Sequence, residues 1–541
     1  MGCLWRSGWW SGFVLVVLSP GHCSRCGAPV SLARNFPDPI RLSLFASRAA
    51  ALCEEMGAAL HRTALSVNIR DRRDYSCALF DPTGEMIAQA THIPVHLGSM
   101  AYAMRSLAAG RTWHSGDVLI LNDPFQGGTH LPDVTMIEPL VADGEVRCFV
   151  ACRAHFADIG AGETGSMGVA TRLADEGVLI PPSLLVAAGR PNPDVLAPLY
   201  ARVRDRRLVA GDIAAQSGAC EVGIRRAAEW IATTGAEAFA AQVVALQDYS
   251  ATLTSRALAA LPAGTYRARD WLDGGQEGVD IPVEVTVTLD GGMLTADFGA
   301  GPPMVSGNLN CPLSVTAAAV VYVVRCLLPA EAPSAGILSA VRIKTAPGTL
   351  LDAMPPAAVA AGNVETSTRL VDVLFRALAQ AAPERIAAAS QGTMNNLAMA
   401  GAGWSYYETI AGGAGGGPRR PGADAIHTHL TNTLNTPVEI LETHYPLRLR
   451  RYQVRRGSGG AGARPGGSGV IREYEFLAPA RVALIAERRR RGPWGLAGGH
   501  DGAPGRDLLD GTEIPGSGEF DVRPGQVLTV MTPGGGGHGA P

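Results

Sequence analysis

Charge is scarce in this 541-residue chain. Asp, Glu, Lys and Arg together make up 18% of it, and the net charge is −3. A nucleic-acid partner is not expected, because that would require a strongly basic face. No segment reaches the ~18 consecutive apolar residues of a membrane-spanning helix, so no membrane partner is expected either. The ten cysteines, at 3, 23, 26, 53, 77, 148, 152, 220, 311 and 326, show none of the dense, regular spacing of a small secreted disulfide scaffold. Cys77, Cys148, Cys152 and Cys326 sit in apolar runs and read as buried thiols. The pair Cys23 and Cys26 lacks a second CxxC or a His pair nearby and is not read as a zinc site. No G-x-x-x-x-G-K-[ST] occurs, lysine is nearly absent from the glycine-rich loops, and "GSGGAGARPGGSG" has no strand–loop–helix setting, so no nucleotide site is expected.

What the chain has is apolar mass. Apolar residues are 47% of it, enough for a large core. Its length fits two to four domains or one large two-lobed body. Gly (66) and Pro (37) approach a fifth of the residues, so turns and close-packed loops must be frequent. Residues 1–29 read either as a weak signal peptide or as a translation start placed too far upstream, with the true start near Val30; the second reading is preferred, since the rest resembles a cytoplasmic enzyme subunit.

From Pro39 the pattern becomes regular. "IRLSLFASRAAALCEEMGAALHRTA" has helical spacing. "SCALFDPTGEMIAQA" reads as strand–turn–strand, with Asp81, Pro82 and Gly84 in the turn. "SMAYAMRSLAA" is a second helix, and "DVLILND", "VTMIEPLVA" and "VRCFVACRAHFAD" are strands of a buried sheet. A helical region spans about 195–261. "GTYRARDWLD" and "IPVEVTVTLDGGMLTADF" form an antiparallel unit with a Gly-Gly hairpin. "LSVTAAAVVYVVRCLL" and "STRLVDVLFRALAQAA" are helices. "AGGAGGGPRRPGAD" reads as a mobile loop, and short strands dominate after Val438. The expected class is α+β: a large mixed α/β N-terminal body with a β-rich C-terminal region. The expected parts are an extension at 1–29, a metal-site domain at 39–262, a central α+β region at 263–437 and a Gly-rich, β-rich region at 438–541.

The chemistry concentrates in "LILNDPFQGGTHLPDVTMIEPL" and "CRAHFADIGAGETGSMG". Each holds an H-x-x-D at a strand end beside a glycine-rich turn: His130 with Asp133, and His155 with Asp158. Imidazole and carboxylate together suit a divalent transition metal, and three protein ligands leave a position open. The alternative is that both aspartates cap turns through backbone N–H groups. In "HTHLTNT", His427 and His429 are expected on one side of a strand, facing substrate or lying behind the ligands, or else as a polar strand end. In "GNVETS", Glu365 is a candidate active-site group and Thr366 or Ser367 a candidate helix cap. Arg70, Arg72 and Arg73 beside Asp74 read as ion pairs at a subunit contact or as an anion site. "ERRRRGPWG" reads as a solvated face.

"RRDYSCALFDPTGEMIAQATHIPVHLGSM", "NDPFQGGTHLPDVT", "RAHFADIG", "GNVETSTRLVDVLFRAL", "QGTMNNLAM", "YYETIAGG", "HTHLTNTLNTPVEILE" and "GGSGVIREYEFL" together resemble the B-type subunit family of N-methylhydantoinase and 5-oxoprolinase, to which subunits of acetone and acetophenone carboxylases are related. The resemblance runs from about Pro39 to the C-terminus. It implies a divalent metal (zinc or manganese, or iron) on His130, Asp133 and His155, with Asp158 as a further ligand or as an orienter of a histidine, and with Asp158 or a loop histidine as the proton acceptor in catalysis. It also implies an A-type partner carrying ATP and magnesium, and ATP-dependent opening of 5-oxoproline, hydantoin or N-methylhydantoin in a hetero-oligomer. A ketone carboxylase subunit and a non-catalytic scaffold are the alternatives. Two positions depart from the pattern: Gln126 stands where many members have a basic residue or His, and Phe156 where many have a second His.

Overall fold

A capped helix opens the described part of the chain. In the computed structural model, which describes residues 38–541 except 163 and 275–277, the Asp38 carboxylate accepts from the Ile40 N–H at 2.9 Å and Pro39 occupies the first turn of α1 (Pro39–Thr63). Residues 1–29 and the Cys23–Cys26 motif lie outside the described residues. Helix α1 buries Leu42, Phe45, Ala49, Leu52, Cys53, Met56 and Leu60, the helical spacing that the sequence shows.

That face covers one side of a seven-stranded antiparallel sheet ordered β2-β1-β5-β4-β3-β6-β7. Its strands are β1 (Tyr75–Phe80), β2 (Met86–Gln89), β3 (Val118–Leu121), β4 (Asp133–Ala142), β5 (Glu145–His155), β6 (Ser183–Ala187) and β7 (Arg190–Pro191). Cys77, Leu79, Val150 and Cys152 share a core with α1 and the long helix α3 (Arg206–Thr234). Their neighbours Ala78, Phe80, Phe149 and Ala151 pack on α2 (Pro94–Ala109) on the other side. Helices on both faces explain why these strands are apolar throughout rather than alternating.

Helix α4 (Ala236–Ala259) leads into a second sheet, β11-β10-β9-β8, formed by β8 (Gly264–Leu272), β9 (Ile281–Asp290), β10 (Met293–Asp297) and β11 (Val341–Lys344). The β9–β10 turn has φ of 54° at Gly291 and 80° at Gly292, the double positive-φ geometry of a tight hairpin. Helices α5 (Leu313–Cys326) and α6 (Ser367–Leu378) fill the core against it. Two antiparallel sheets complete the fold, β13-β12-β16-β19 and β14-β15-β20-β17-β18. They are built from β12 (Asn396–Gly401), β13 (Trp404–Thr409), β14 (Leu447–Arg455), β15 (Gly469–Phe476), β16 (Ala480–Ile485), β17 (Arg506–Leu509), β18 (Thr512–Ile514), β19 (Ser517–Val522) and β20 (Val527–Met531), and they share one apolar core. The α+β class and the β-rich C-terminal region are as expected. No helix among the described residues is long and apolar enough to cross a membrane.

The glycine-rich segments correct one expectation. The stretch 411–424 is not a mobile loop but one member of a bundle of extended segments cross-linked by backbone hydrogen bonds. Gly413 N donates to Pro533 O at 3.0 Å, Gly416 N to Gly536 O at 2.8 Å, Gly460 N to Gly535 O at 2.8 Å, Gly467 N to Ala414 O at 2.8 Å and Gly537 N to His500 O at 2.8 Å. Segments around 388–391, 412–423, 458–467, 494–502 and 533–539 meet there without strand ladders. A Cβ on Gly535 would overlap the Ala414 carbonyl and lie 2.7 Å from Gly415 N. Glycine serves here because only a chain without side chains can pack this closely, as at the axis of a collagen triple helix.

Three other readings change. In "ERRRRGPWG", Arg488 is buried, 2.6 Å from both Asp270 and Asp372, with Arg369 3.2 Å from Asp372, and Arg489 bonds Asp507 at 2.8 and 2.9 Å. A φ of 58° at Arg488 accompanies this inward turn, and only Arg490 and Arg491 face solvent, both toward Asp280. Thr366 and Ser367 do not cap α6. A wide π turn at 362–366 runs straight into that helix, so the two hydroxyls donate instead to Leu309 O and Asn363 O, each at 2.6 Å. Cys326, at the last turn of α5, is exposed rather than buried.

Candidate metal centre

The sheet brings the two H-x-x-D segments together through its register. Strand β4 starts at Asp133, β5 ends at His155, and these two are direct cross-strand partners. Paired residues on adjacent strands project to the same face. His130 precedes by one tight turn, in which Asp133 N donates to His130 O at 3.1 Å. The loop before it is fixed by Asn122, whose amide donates to Leu131 O and Val178 O, and by Gly128, where a Cβ would stand 2.7 Å from the carbonyl oxygens of Asn122 and Asp123. Beneath the site, Arg153 ties three elements: Nε to Thr135 on β4, Nη1 to Ser99 on α2 and Nη2 to Gly127 O.

Asp133 Oδ1 lies 3.0 Å from His130 Nε2 and 3.1 Å from His155 Nδ1, and the three ligand atoms all fall within 4.8 Å of one another. All three residues are buried. Atoms bound about 2.1 Å from one cation stand roughly 3.0–3.4 Å apart, so this spacing suits a shared ion. Two nitrogens and one oxygen suit zinc, manganese or iron. The remaining ring nitrogens, His130 Nδ1 and His155 Nε2, are buried without hydrogen-bond partners. Burial would raise the Asp133 carboxyl, but His130 and His96 hold it well below the usual range; burial pushes the His155 imidazole down. The residues present fit a divalent cation.

A cavity of about 20 Å³ adjoins the triad, lined by Asp74, His96, His130, His155, Asn363 and Tyr407 among others. That is room for about one water. Asn363 Nδ2 is 3.2 Å from His130 Nε2, and the Tyr407 ring stacks on His155 with centroids 4.6 Å apart and 15° between planes. His96 and Thr129 both reach Asp133 Oδ2, at 3.2 and 2.5 Å. Sequence spacing gave no signal for His96 or Tyr407, which come from α2 and β13. Asn363 belongs to the segment singled out for Glu365, and the π turn directs Asn363 rather than Glu365 at His130.

The other candidates stand apart from this cavity. Asp158 Oδ1 accepts from Gly160 N at 2.9 Å and its Oδ2 from Arg204 N at 2.7 Å, so it fixes the turn after β5. Glu365 accepts from Met394 N and Asn396 Nδ2; burial pushes its carboxyl up to about 8. Asn396 in turn accepts from the Tyr407 hydroxyl at 2.8 Å, linking Glu365 to the ring over His155. His427 and His429 do not share a strand face: residues 427–430 are irregular and His429 has φ of 59°. His429 contacts the Tyr322 hydroxyl at 3.3 Å and packs on Phe375, while burial and the nearby Arg72 depress His427 to about 4. Arg72 is buried and donates to Tyr407 O and Thr409 Oγ1, whereas Arg70 pairs with Asp71. Gln126 bonds Asp123 at 2.6 Å and Phe156 is buried in the core; neither lines the cavity.

Similarity to known proteins agrees with this architecture. The chain is 36% identical to 5-oxoprolinase 1 of Arabidopsis thaliana, over 94% of this chain but 42% of that protein, so it spans about two-fifths of that relative's length. It is 30% identical to the B-type subunit of a putative D-/L-hydantoinase of Pseudomonas sp. (strain NS671), covering 93% of this chain and 90% of that one. The crystal structure of ATP-dependent caprolactamase from Pseudomonas jessenii superposes with a TM-score of 0.87 at 29% identity, covering 94% and 92% of the two chains. The hydantoinase B/oxoprolinase family model matches residues 38–541, and the chain belongs to that family.

Proposed function

We propose that this chain is the metal-binding B-type subunit of an ATP-dependent cyclic-amide hydrolase that opens 5-oxoproline, hydantoin or N-methylhydantoin together with an A-type partner. The observation that carries the reading is the buried His130–Asp133–His155 triad beside a water-sized cavity. A divalent cation bound there supplies Lewis acidity toward an oxygen and lowers the pKa of a bound water. His130, Asp133 and His155 hold it, and the Tyr407 ring fixes the His155 plane. The Asp74 carboxylate lines the same cavity, is buried, and has no side-chain hydrogen bond or ion pair among the described residues. It is the proton acceptor in this reading, a role that Asp158 is too committed to its turn to fill. Glu365 supports Tyr407 through Asn396.

A lactam amide is a poor electrophile because of its resonance. Phosphorylation of its oxygen by ATP and magnesium on the partner removes that resonance and provides a leaving group. Kinship with a protein named as one component of a hydantoinase supports a division of labour with a further chain. Likeness to a caprolactamase supports a hydrolase over a ketone carboxylase.

The test is ATP-dependent ring opening by the chain assembled with its partner. His130→Ala and Asp133→Ala should lower turnover by more than the roughly 100-fold that changes around a metal's ligands cost. Full activity in assembled variants would leave only the scaffold alternative. Bicarbonate-dependent ketone consumption without ring opening would replace the hydrolase with a carboxylase.

A further inference from the structure

The two oxygens of Asp133 have separate partners. Oδ1 faces His130 Nε2 and His155 Nδ1 at 3.0 and 3.1 Å. Oδ2 faces His96 Nε2 at 3.2 Å and accepts the Thr129 hydroxyl at 2.5 Å. We infer that His96 is a positioning residue, an N–H donor that occupies the second oxygen of Asp133 and so confines this carboxylate to one-oxygen ligation of a divalent cation.

The carboxylate decides which nitrogen faces it as a donor. Ser76 Oγ lies 3.4 Å from both His96 Nδ1 and Ile93 O, so that side of the ring can be served with the Ser76 hydrogen turned either way. An ionised carboxylate only accepts, so the hydrogen in the 3.2 Å contact between His96 Nε2 and Asp133 Oδ2 belongs to Nε2. A nitrogen bearing hydrogen is a donor to the carboxylate and not a ligand. Two donors on Oδ2 leave Oδ1 as the oxygen free to ligate, and metal-bound carboxylates are held in this way by hydrogen bonds from outside the ligand set.

The ring has little freedom to leave. His96 lies in the first turn of α2 and is 2% exposed. The helix is pinned by Arg153 through Ser99 at 2.6 Å, by Val95 N donating to Leu430 O at 3.3 Å, and by Gly98, where an added Cβ would sit 2.7 Å from Ala318 Cα. Thr129, the other donor, precedes the ligand His130, so loop and helix close on the carboxylate from two sides.

This inference rests on the metal reading above, and the experiment separates the two. The full chain is loaded with Mn(II), and the imidazole nitrogens bound to the ion are counted by pulsed EPR. Two are expected, from His130 and His155; a third would make His96 a ligand and overturn the positioning role. This count needs no variant. Affinity is then titrated in His96→Ala and His96→Gln, with Zn(II) as a second ion. Alanine should weaken binding by about 10–100-fold, and glutamine, which restores an N–H donor, should recover most of it. An alanine variant within about twofold of wild type, or a glutamine variant as weak as alanine, refutes the role while the metal site stands. Failure of the wild type to bind one ion per chain, or unchanged binding in His130→Ala, overturns the metal reading and the His96 role with it.

Discussion

Replacing Gly535 with alanine adds one methyl group to the centre of the glycine bundle. Its Cβ would overlap the Ala414 carbonyl and stand 2.7 Å from Gly415 N, with backbone rather than a flexible side chain in the way. Relief requires the segments to part. The bonds from Gly535 N to Gly467 O at 2.9 Å and from Gly460 N to Gly535 O at 2.8 Å are the first to break. Two buried hydrogen bonds at about 1 kcal/mol each, with about 1–3 kcal/mol for overpacking, give about 3–5 kcal/mol. That is a large part of the roughly 5–15 kcal/mol that holds a folded protein together. Gly218→Ala is the matched control. It lies inside α3, an added Cβ meets nothing within 4 Å, and helix propensity should stabilise it by about 1 kcal/mol. Urea unfolding of both variants reads the difference. A Gly535→Ala protein within about 1 kcal/mol of wild type would refute the close-packed account of the bundle.

Divalent cation binding should raise the unfolding temperature of the wild type; at a hundred times the dissociation constant the gain is about 2.7 kcal/mol, and Asp133→Ala should abolish it in differential scanning calorimetry. No rise with zinc, manganese or iron would count against the triad as a metal site. Glu365 ionises near 8 in the fold against an ordinary 4.5, so the folded state binds the more protons across that window and stability falls as pH rises through it. Glu365→Gln removes this slope: the wild type should lose stability relative to the variant from pH 4.5 to about 8 and keep a constant difference above, as denaturant titrations across that range would show. A constant difference throughout would mean that Glu365 titrates normally.

The sequence was most legible where chemistry and strand register coincide. His130 and Asp133 are three residues apart, and His155 lies at the far end of the next strand, so a hairpin alone brings the triad together. His96 and Tyr407 escaped notice because their elements reach the site only through packing of α2 and β13, which no local pattern encodes. Asn363 was hidden by the π turn, since a helix of ordinary pitch gives no reason to prefer it over Glu365. The glycine-rich stretches misled because absent side chains suggest freedom, whereas here that absence permits backbone-to-backbone bonding. Arg488 misled for the converse reason: a run of arginines suggests solvent, but Asp270 and Asp372 wait inside to receive it.

The glycine bundle also sets an order of events. Residues 533–539 run between segments that begin near 388, so every other member leaves the ribosome before the one that joins them. The earlier segments can bond one another, but until then Gly413 N, Gly416 N and Gly460 N lack their acceptors on the last one. A nascent chain stalled or cleaved ahead of Pro533 would keep its seven-stranded sheet yet present a ragged, sticky flank, a substrate for chaperones and proteases rather than a finished fold.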